Sequence, residues 1–175
     1  MVPFVEAVRP WHDLFMLIGT ASATLVGLLF VAVSVGSGTD RPKNDVGLRT
    51  FISPSVVHFS CVLAACVIAV APCRSWLPAG LLIVADGLFG VVYSGLVWRN
   101  MVRHGLHAAI DLEDRMWYAI VPAVGHAAVA VAGLTLLLQS DTGCGLLALA
   151  TGLLLLVGIR NAWDITTWTV LRRSQ

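Results

Sequence analysis

Three stretches of 22 mostly apolar residues constrain this chain more than any other feature of the sequence. They cover Leu14–Val35, Leu77–Trp98 and Trp117–Leu138. An α-helix needs about 20 apolar residues to cross the hydrocarbon core of a bilayer, which is roughly 30 Å thick. Each stretch is long enough for a membrane span, so the sequence predicts an integral membrane protein in contact with the lipid bilayer.

The composition excludes the other broad classes of protein. Apolar residues make up 58% of the 175 residues and charged residues 12%, whereas soluble domains have about 45–50% and about 25%. Disordered chains need low hydrophobicity and a high net charge, and the net charge here is +1. Because the chain has no basic stripe, we expect no nucleic-acid partner.

Two further segments bring the expected number of spans to five. Pro54–Pro72 has 19 residues, and Ser53 with Pro54 resembles an N-cap followed by proline at the first helical position. The last segment begins near Cys144, and its uncharged core, Gly145–Ile159, has 15 residues. The predicted fold is an all-α polytopic bundle in a single integral membrane domain, 1–175, with spans at about 14–35, 54–72, 77–98, 117–138 and 144–165.

The basic residues set the expected orientation. With five spans, eight basic residues lie on one side of the membrane and two on the other: Arg41, Lys43, Arg49, Arg99, Arg103, Arg115, Arg172 and Arg173 against Arg9 and Arg74. Short basic loops stay in the cytoplasm, so we expect the N-terminus outside and the C-terminus inside. Four spans would weaken the bias to six against four. Ten of the 11 basic residues are arginine, which favours a bacterial source and hence the bacterial inner membrane.

Ionisable side chains inside the predicted spans are the candidate functional residues, because they are costly in lipid. At about 1.5 Å per residue, Asp86 and His126 fall at nearly the same depth near the bilayer centre, as does Ser22. We hypothesise a buried Asp86–His126 pair, extended toward His58, that relays protons, since histidine titrates near physiological pH. The alternative is that Asp86 hydrogen-bonds a facing helix and only fixes the packing.

The cytoplasmic half of the predicted bundle contains two more polar features. Pro122 removes a helix hydrogen bond and frees the carbonyl of Tyr118, which predicts a kink one turn before the histidine of the fourth span. Arg160 and Asp164 lie four residues apart on one helical face and are expected to form a structural ion pair. His58 and Arg160 both fall roughly 6 Å from the cytoplasmic boundary, where they form a second polar layer.

The four cysteines fall into two groups. Cys61 and Cys66 lie inside the second span and are expected to be buried small hydrophobes. Cys73 and Cys144 lie at the outer ends of the second and fifth spans, where an oxidising exterior permits a disulfide. Whether these two are bridged stays open, since equal depth does not fix their lateral distance.

Small residues recur at four-residue spacing in the first span, at Gly19, Ala23 and Gly27. Such a face lets helices approach closely in lipid. We expect it to pack within the monomer, and contact between copies in a homo-oligomer is the alternative. The tryptophans lie near predicted span ends and are expected to form an aromatic belt: Trp11, Trp76, Trp98, Trp117, Trp163 and Trp168.

The sequence contains no pattern typical of an enzyme. No G-x-S-x-G elbow, P-loop, Rossmann fingerprint or H-E-x-x-H is present, so we assign no catalytic residues and expect a protein without enzymatic activity or cofactor. His104 and His107 in the third loop have a spacing that suits a metal on a helix face. Beside Arg103 and Arg115, however, a solvated loop is favoured, and no metal site is assigned.

The first span carries a family resemblance. It reads Trp11-His12-Asp13-Leu14-Phe15 and then, from Gly19 to Val35, GTASATLVGLLFVAVSV. This resembles a widespread, largely uncharacterised family of small bacterial polytopic membrane proteins, in which W-x-D-F-F precedes G-A-x-A-A-L-x-G-L-L-F-V-A-V-S. Some members carry the label of modulator of a membrane-bound AAA protease. The segment Ala162-Trp163-Asp164 is similar to the surroundings of the tryptophan near their last helix.

The chain departs from that family after Val35, where Gly36-Ser37-Gly38 replaces a frequent asparagine. The resemblance implies a bacterial integral membrane protein and brings no site residues with it. We therefore expect a small membrane protein that acts through helix–helix or protein contacts, as a regulatory or structural partner of another membrane protein. The alternative is a small channel or proton-coupled transporter that uses the mid-membrane layer of Asp86 and His126.

Overall fold

The computed structural model describes residues 2–36, 46–103 and 116–173. These residues are almost entirely helical, and no strand occurs among them, which confirms the all-α class. In chain order the elements are α1 (Phe4–Val8), a 3-10 turn (Arg9–Trp11), α2 (His12–Gly36), α3 (Val46–Val70), α4 (Trp76–Arg103), a π-helical turn (Met116–Ile120), α5 (Val121–Leu137) and α6 (Thr142–Arg173).

Several of these helices have the length and composition of membrane spans. Among the described residues, four segments are long and apolar enough to cross a bilayer, and Pro54–Val70 is a shorter apolar helix. The last helix, α6, is continuous over 32 residues, so the charged residues that follow Ile159 do not end it. The four long segments are Phe4–Ala32, Trp76–Arg103, Met116–Leu137 and Thr142–Asp164.

The second predicted span begins earlier than its sequence indicated. The expected start at Ser53 and Pro54 is wrong, because α3 already begins at Val46 and Pro54 lies inside it. Proline lacks one backbone N–H and disturbs one helical turn, but helical residues continue on both sides of it. His58 therefore lies 12 residues into its helix instead of four.

The helices α4 and α5 form the most extensive contact in the described bundle. Small residues make this possible because they let two backbones approach closely. A Cβ atom at Gly133 would lie 2.6 Å from the backbone nitrogen of Val84, and Gly87 is just as tightly packed against the backbone of Ala130. The remaining helices surround this pair: α6 packs against α5, and α3 contacts α2, α4 and α6.

One end of the bundle is closed by the N-terminal segment. The Phe4 N–H donates to the Arg74 carbonyl at 3.2 Å, and Trp76 Nε1 donates to the Val2 carbonyl at 2.9 Å. The rings of Phe4 and Trp76 pack edge to face with centroids 5.5 Å apart. Cys144, at the start of α6, belongs to the same apolar cluster. We call this the α1 end of the bundle.

The two cysteines at the α1 end are not bridged. Cys73 and Cys144 pack into one apolar cluster, but both are free thiols. A disulfide needs specific Cα and Cβ geometry, which a shared depth does not supply. The bridge that the sequence allowed is therefore not formed in this structure. Cys61 and Cys66 are buried, as expected.

The small-residue face of α2 packs only in part. A Cβ atom at Gly19 would lie 3.1 Å from Cys66 Cβ, so this residue is at a helix contact. In contrast, Ala23 is exposed, and Gly27 has nothing within 4 Å of its Cβ position. The prediction that this face packs within the monomer is therefore wrong for Ala23 and Gly27. The reason is that α2 is an outer helix that contacts mainly α3 and α6.

Candidate functional site

Two histidines from different helices meet in the interior of the bundle. His58 on α3 and His126 on α5 are 2% and 0% exposed. Nδ1 of His58 lies 2.9 Å from Nε2 of His126, which is hydrogen-bond distance, and the ring centroids are 5.1 Å apart. The pair connects α3 and α5, two helices that share little backbone contact.

The helix α4 provides the surface against which this pair packs. Gly90 lies directly against His126, and a Cβ atom there would overlap Cγ and Nδ1 of the imidazole. Tyr93 lies edge-on to His58, with ring centroids 6.0 Å apart and planes at 83°. Ser94 is buried beside them, but its hydroxyl donates to the Gly90 carbonyl at 2.9 Å. The two imidazoles are therefore held between α3, α4 and α5 by close packing.

Asp86 lies one turn from Gly90 on the same face of α4, and its partner differs from the expected one. The neighbour of its carboxylate on α3 is the Cys61 thiol. The expected Asp86–His126 pair is not formed, because His126 Nε2 faces His58 and its Nδ1 has no hydrogen-bond partner. Four residues of α4 displace Asp86 by about 6 Å toward the α1 end. The Asp86 carboxylate and the His126 imidazole therefore do not meet, although the sequence predicts similar depths for them.

Polar side chains of α3 form a column along one face of that helix. Ser55, His58 and Cys61 follow each other at three-residue spacing, so they lie on one side of α3 and span about 9 Å along its axis. All three are buried. Asp86 lies at the α1 side of the column, beside Cys61, and His126 contacts its centre.

The hydrogen-bonding capacity of the histidine pair is only half used. Nε2 of His58 and Nδ1 of His126 have no hydrogen-bond partner. A neutral imidazole carries one N–H donor and one bare acceptor nitrogen. When two neutral rings share one hydrogen bond, one outer nitrogen carries a hydrogen and the other is bare. The pair thus presents a proton donor at one side and a proton acceptor at the other.

The remaining predicted site residues lie elsewhere. Ser22 is fully buried on α2, and its hydroxyl has no hydrogen-bond partner, so no hydrogen bond joins it to the histidine pair. Arg160 and Asp164 form the expected ion pair, with Nη1 and Oδ2 3.4 Å apart. Arg160 also lies over the Trp117 ring, 4.2 Å from its centroid. It does not form a polar layer with His58, which hydrogen-bonds His126 instead.

The π-helical turn before α5 is anchored to α6. In a π turn the N–H of residue i+5 bonds the carbonyl of residue i, and Pro122 has no N–H to offer to Trp117. Asn161 supplies the missing donor, because its Nδ2 lies 3.0 Å from the Trp117 carbonyl. The Tyr118 hydroxyl donates in return to the Asn161 carbonyl at 3.1 Å. We call this the π end of the bundle, and its contacts fix the helix that carries His126.

The sequence hypothesis extended the Asp86–His126 pair toward His58, but one wrong helix start placed His58 in a different layer of the membrane from His126. Counted from Pro54, His58 falls roughly 6 Å from the membrane boundary, whereas counted from Val46 it falls roughly 18 Å inside the helix. His126 lies nine residues beyond Trp117, or roughly 14 Å. With the correct start the two histidines reach similar depths. No pattern of residues pointed to Asn161, because its partner is a backbone carbonyl.

Neither metal clusters nor known relatives identify the site. In the described ranges, no group of three or more His, Cys, Asp and Glu side chains is arranged to hold a metal ion. The loop with His104 and His107 lies outside those ranges. No protein-family model, curated protein or solved structure matches the chain. The candidate site is therefore argued from its own geometry.

Proposed function

We propose that this protein moves protons across the membrane, as a small channel or proton-coupled transporter built around His58 and His126. One observation supports this most directly: the two buried rings share a 2.9 Å hydrogen bond while one nitrogen of each has no partner. Polar residues that only fix helix packing are expected to satisfy their hydrogen bonds, because an unpaired buried polar group costs about 1–3 kcal/mol. The pair instead keeps two sites for proton exchange.

A proton passes through the pair by a change of tautomer. When His58 Nδ1–H donates to His126 Nε2, the bare His58 Nε2 accepts an incoming proton. The Nδ1 proton of His58 moves to His126 Nε2, and the Nδ1 proton of His126 leaves toward α4. One N–H bond is formed and one is broken on each ring, so neither ring keeps a charge. Rotation of both rings, or the reverse transfer, restores the starting state.

Asp86 is the next group toward the α1 end in this proposal. It lies one turn from Gly90, the residue that contacts His126 Nδ1, and its carboxylate is next to the Cys61 thiol of α3. The pathway is thus made of Asp86, His126 and His58. Ser22 is left out of it, because Ser22 lies on α2 and shares no hydrogen bond with these residues.

We further propose five spans in a bacterial inner membrane, with the N-terminus outside and the C-terminus in the cytoplasm. The support is the asymmetry of eight basic residues against two and the continuity of α3 over 25 residues, whose apolar part, Pro54–Val70, reaches the lower end of the roughly 17–25 residues that a span needs. A reporter fused after Gln175 tests this arrangement. We expect cytoplasmic-type activity, and activity typical of the exterior would overturn it.

Flux measurements in liposomes test the proposed transport. Purified protein is reconstituted with a pH-sensitive dye inside the vesicles, and a potassium diffusion potential drives proton entry. We expect wild type to exceed empty vesicles, and His58→Gln and His126→Gln to lose at least about tenfold, since a positioned proton-transfer group contributes roughly 10²–10⁴-fold. His12→Gln is the matched control, because His12 is exposed and pairs only with the adjacent Asp13.

Two results would count against transport. Wild-type vesicles that match empty vesicles would remove it, and so would full flux in both His58→Gln and His126→Gln. Loss of flux in His12→Gln as well would show that the assay reports general damage to the protein. Each variant is therefore checked for its yield and its thermal stability in detergent.

A second candidate is interaction with another membrane protein or a second copy of this chain. The observation that favours it is the small-residue face of α2, where Ala23 is exposed and Gly27 faces open space. Gly27→Leu is expected to weaken a helix contact there, whereas Gly95→Leu, at an equally open position on α4, is the control. Cross-linking of the protein in membranes measures the contact. Equal cross-linking in both variants would count against this role.

A further inference from the structure

Hydroxyl groups in the described helices mostly bond to their own helix. The hydroxyls of Thr24, Ser60, Ser94 and Thr151 each donate to the carbonyl four residues earlier, at 2.8–2.9 Å. A helical serine or threonine in apolar surroundings usually satisfies its donor in this way. Ser55 differs: it is 1% exposed, and its hydroxyl has no hydrogen-bond partner.

The position of Ser55 beside the histidine pair makes this exception informative. Ser55 and His58 are three residues apart on α3, so their side chains are neighbours with Cβ atoms about 5–6 Å apart. His58 Nε2 also has no hydrogen-bond partner, while its Nδ1 is occupied by His126. Two buried groups that both lack partners therefore lie side by side. Ser22 shares the missing partner but lies on a different helix, α2.

We propose that Ser55 Oγ and His58 Nε2 together bind one water molecule, and that this water passes protons to and from the histidine pair. Two polar atoms bridged by a water lie roughly 5–6 Å apart at most, since each hydrogen bond spans about 2.8 Å. Positions three residues apart on a helix, with Cβ atoms about 5–6 Å apart, allow such a bridge. A buried water commonly makes about three hydrogen bonds, so one remains for the next group toward the π end.

The proton step at this site is simple and rests on the proposed transport function. A protonated water donates one proton to the bare Nε2 of His58, which breaks an O–H bond and forms an N–H bond. The oxygen keeps the electron pair and remains as neutral water on the Ser55 hydroxyl. The Nδ1 proton of His58 then moves to His126. Through this water, Ser55 thus connects the histidine pair with the cytoplasmic half of the bundle.

Flux through matched serine variants tests the role of this site. Ser55→Ala is expected to lower proton flux by about tenfold, because the water loses one of its two protein partners. Ser55→Thr keeps the hydroxyl and is expected to retain most of the flux. Ser60→Ala is the control on the same helix, since the Ser60 hydroxyl is bonded to the Val56 carbonyl and lies away from the pair. Ser55→Ala at wild-type flux would overturn the role in transport.

Nitrogen-15 NMR of the protein in bilayers tests the water without any flux. In wild type we expect His58 Nε2 to show proton exchange with water, and Ser55→Ala to weaken this exchange while Ser60→Ala leaves it unchanged. If wild type conducts no protons but His58 exchanges through Ser55, the transport function fails and the water site stands. If wild type conducts and Ser55→Ala changes neither flux nor exchange, the water site fails and the transport function stands.

Discussion

Gly90 lies so close to His126 that no other residue fits at this position without displacing the ring. A Cβ atom on Gly90 would overlap Cγ and Nδ1 of the imidazole. The same ring holds its 2.9 Å hydrogen bond to His58 on its opposite side. A glycine on α4 therefore leaves the space that the His126 ring occupies, and the geometry of the histidine pair depends on it.

Gly90→Ala is expected to break the histidine pair. The added methyl group collides with a ring that is 0% exposed, and overpacking of this kind costs about 1–3 kcal/mol. We expect proton flux to fall about as far as in His126→Gln, together with a lower thermal midpoint in detergent. Gly95→Ala is the control, since nothing lies within 4 Å of its Cβ position. Flux that stays at the wild-type level in Gly90→Ala would show that the pair is dispensable.

Asn161→Leu is expected to loosen the π end of the bundle. Leucine has a similar size but cannot donate to the Trp117 carbonyl, which now receives Asn161 Nδ2 at 3.0 Å. The contact is part-buried, and a typical hydrogen bond contributes about 0.5–1.5 kcal/mol to stability, so the thermal midpoint should fall. Tyr118→Phe removes a different bond, the one to the Asn161 carbonyl.

A double-variant cycle separates the two contacts at the π end. If they hold the turn as one unit, the combined loss of unfolding free energy in Asn161→Leu with Tyr118→Phe will differ from the sum by about 0.5 kcal/mol or more. Strictly additive losses would show two independent contacts. Leu138→Ala serves as a control for general damage, because this side chain is exposed at the other end of α5.

Thiol labelling is expected to modify Cys73 alone among the four cysteines. Cys73 is the only one of them that is not buried, and the proposed orientation places it outside the membrane. A membrane-impermeant maleimide added to intact cells should label wild type once and Cys73→Ser not at all. Labelling that needs permeabilised cells would reverse the orientation. A gel shift between reduced and oxidised wild type that Cys73→Ser abolishes would show that the bridge to Cys144 does form.

The fold was largely predictable because hydrophobic length dominates in a membrane chain. The apolar stretches Leu77–Trp98 and Trp117–Leu138 correspond to α4 and to the π turn with α5, and no detail of packing was needed to find them. The start of α3 was misplaced for a local reason. Proline at Pro54 imitates a first helical position, and an interior proline gives the same signal in the sequence.

Only one of the two coordinates of each candidate site residue could be predicted. The depth of a side chain in the membrane follows from counting residues along its helix, but the direction in which it points around the helix axis does not. His58, His126 and Asp86 were all found as ionisable groups in apolar helices. Which of them meet is decided by how α3, α4 and α5 rotate about their axes, and by the space that Gly90 leaves. The exposure of Gly27 could not be predicted for the same reason, since the spacing of small residues does not show which neighbouring helix covers them.

Asp86→Asn distinguishes a pathway that continues toward the α1 end from one that ends at the histidines. Asparagine keeps the shape of the side chain beside the Cys61 thiol, but it cannot take up a proton as a carboxylate does. If Asp86 receives protons from His126, flux should fall by about tenfold or more with little change in stability. Cys61→Ala is the companion variant, since it removes the thiol next to the carboxylate and leaves the carboxylate able to bind a proton. If Asp86→Asn loses flux while Cys61→Ala keeps much of it, the carboxylate belongs to the pathway. If flux is unchanged in Asp86→Asn, Asp86 has only the packing role that polar residues often have between membrane helices.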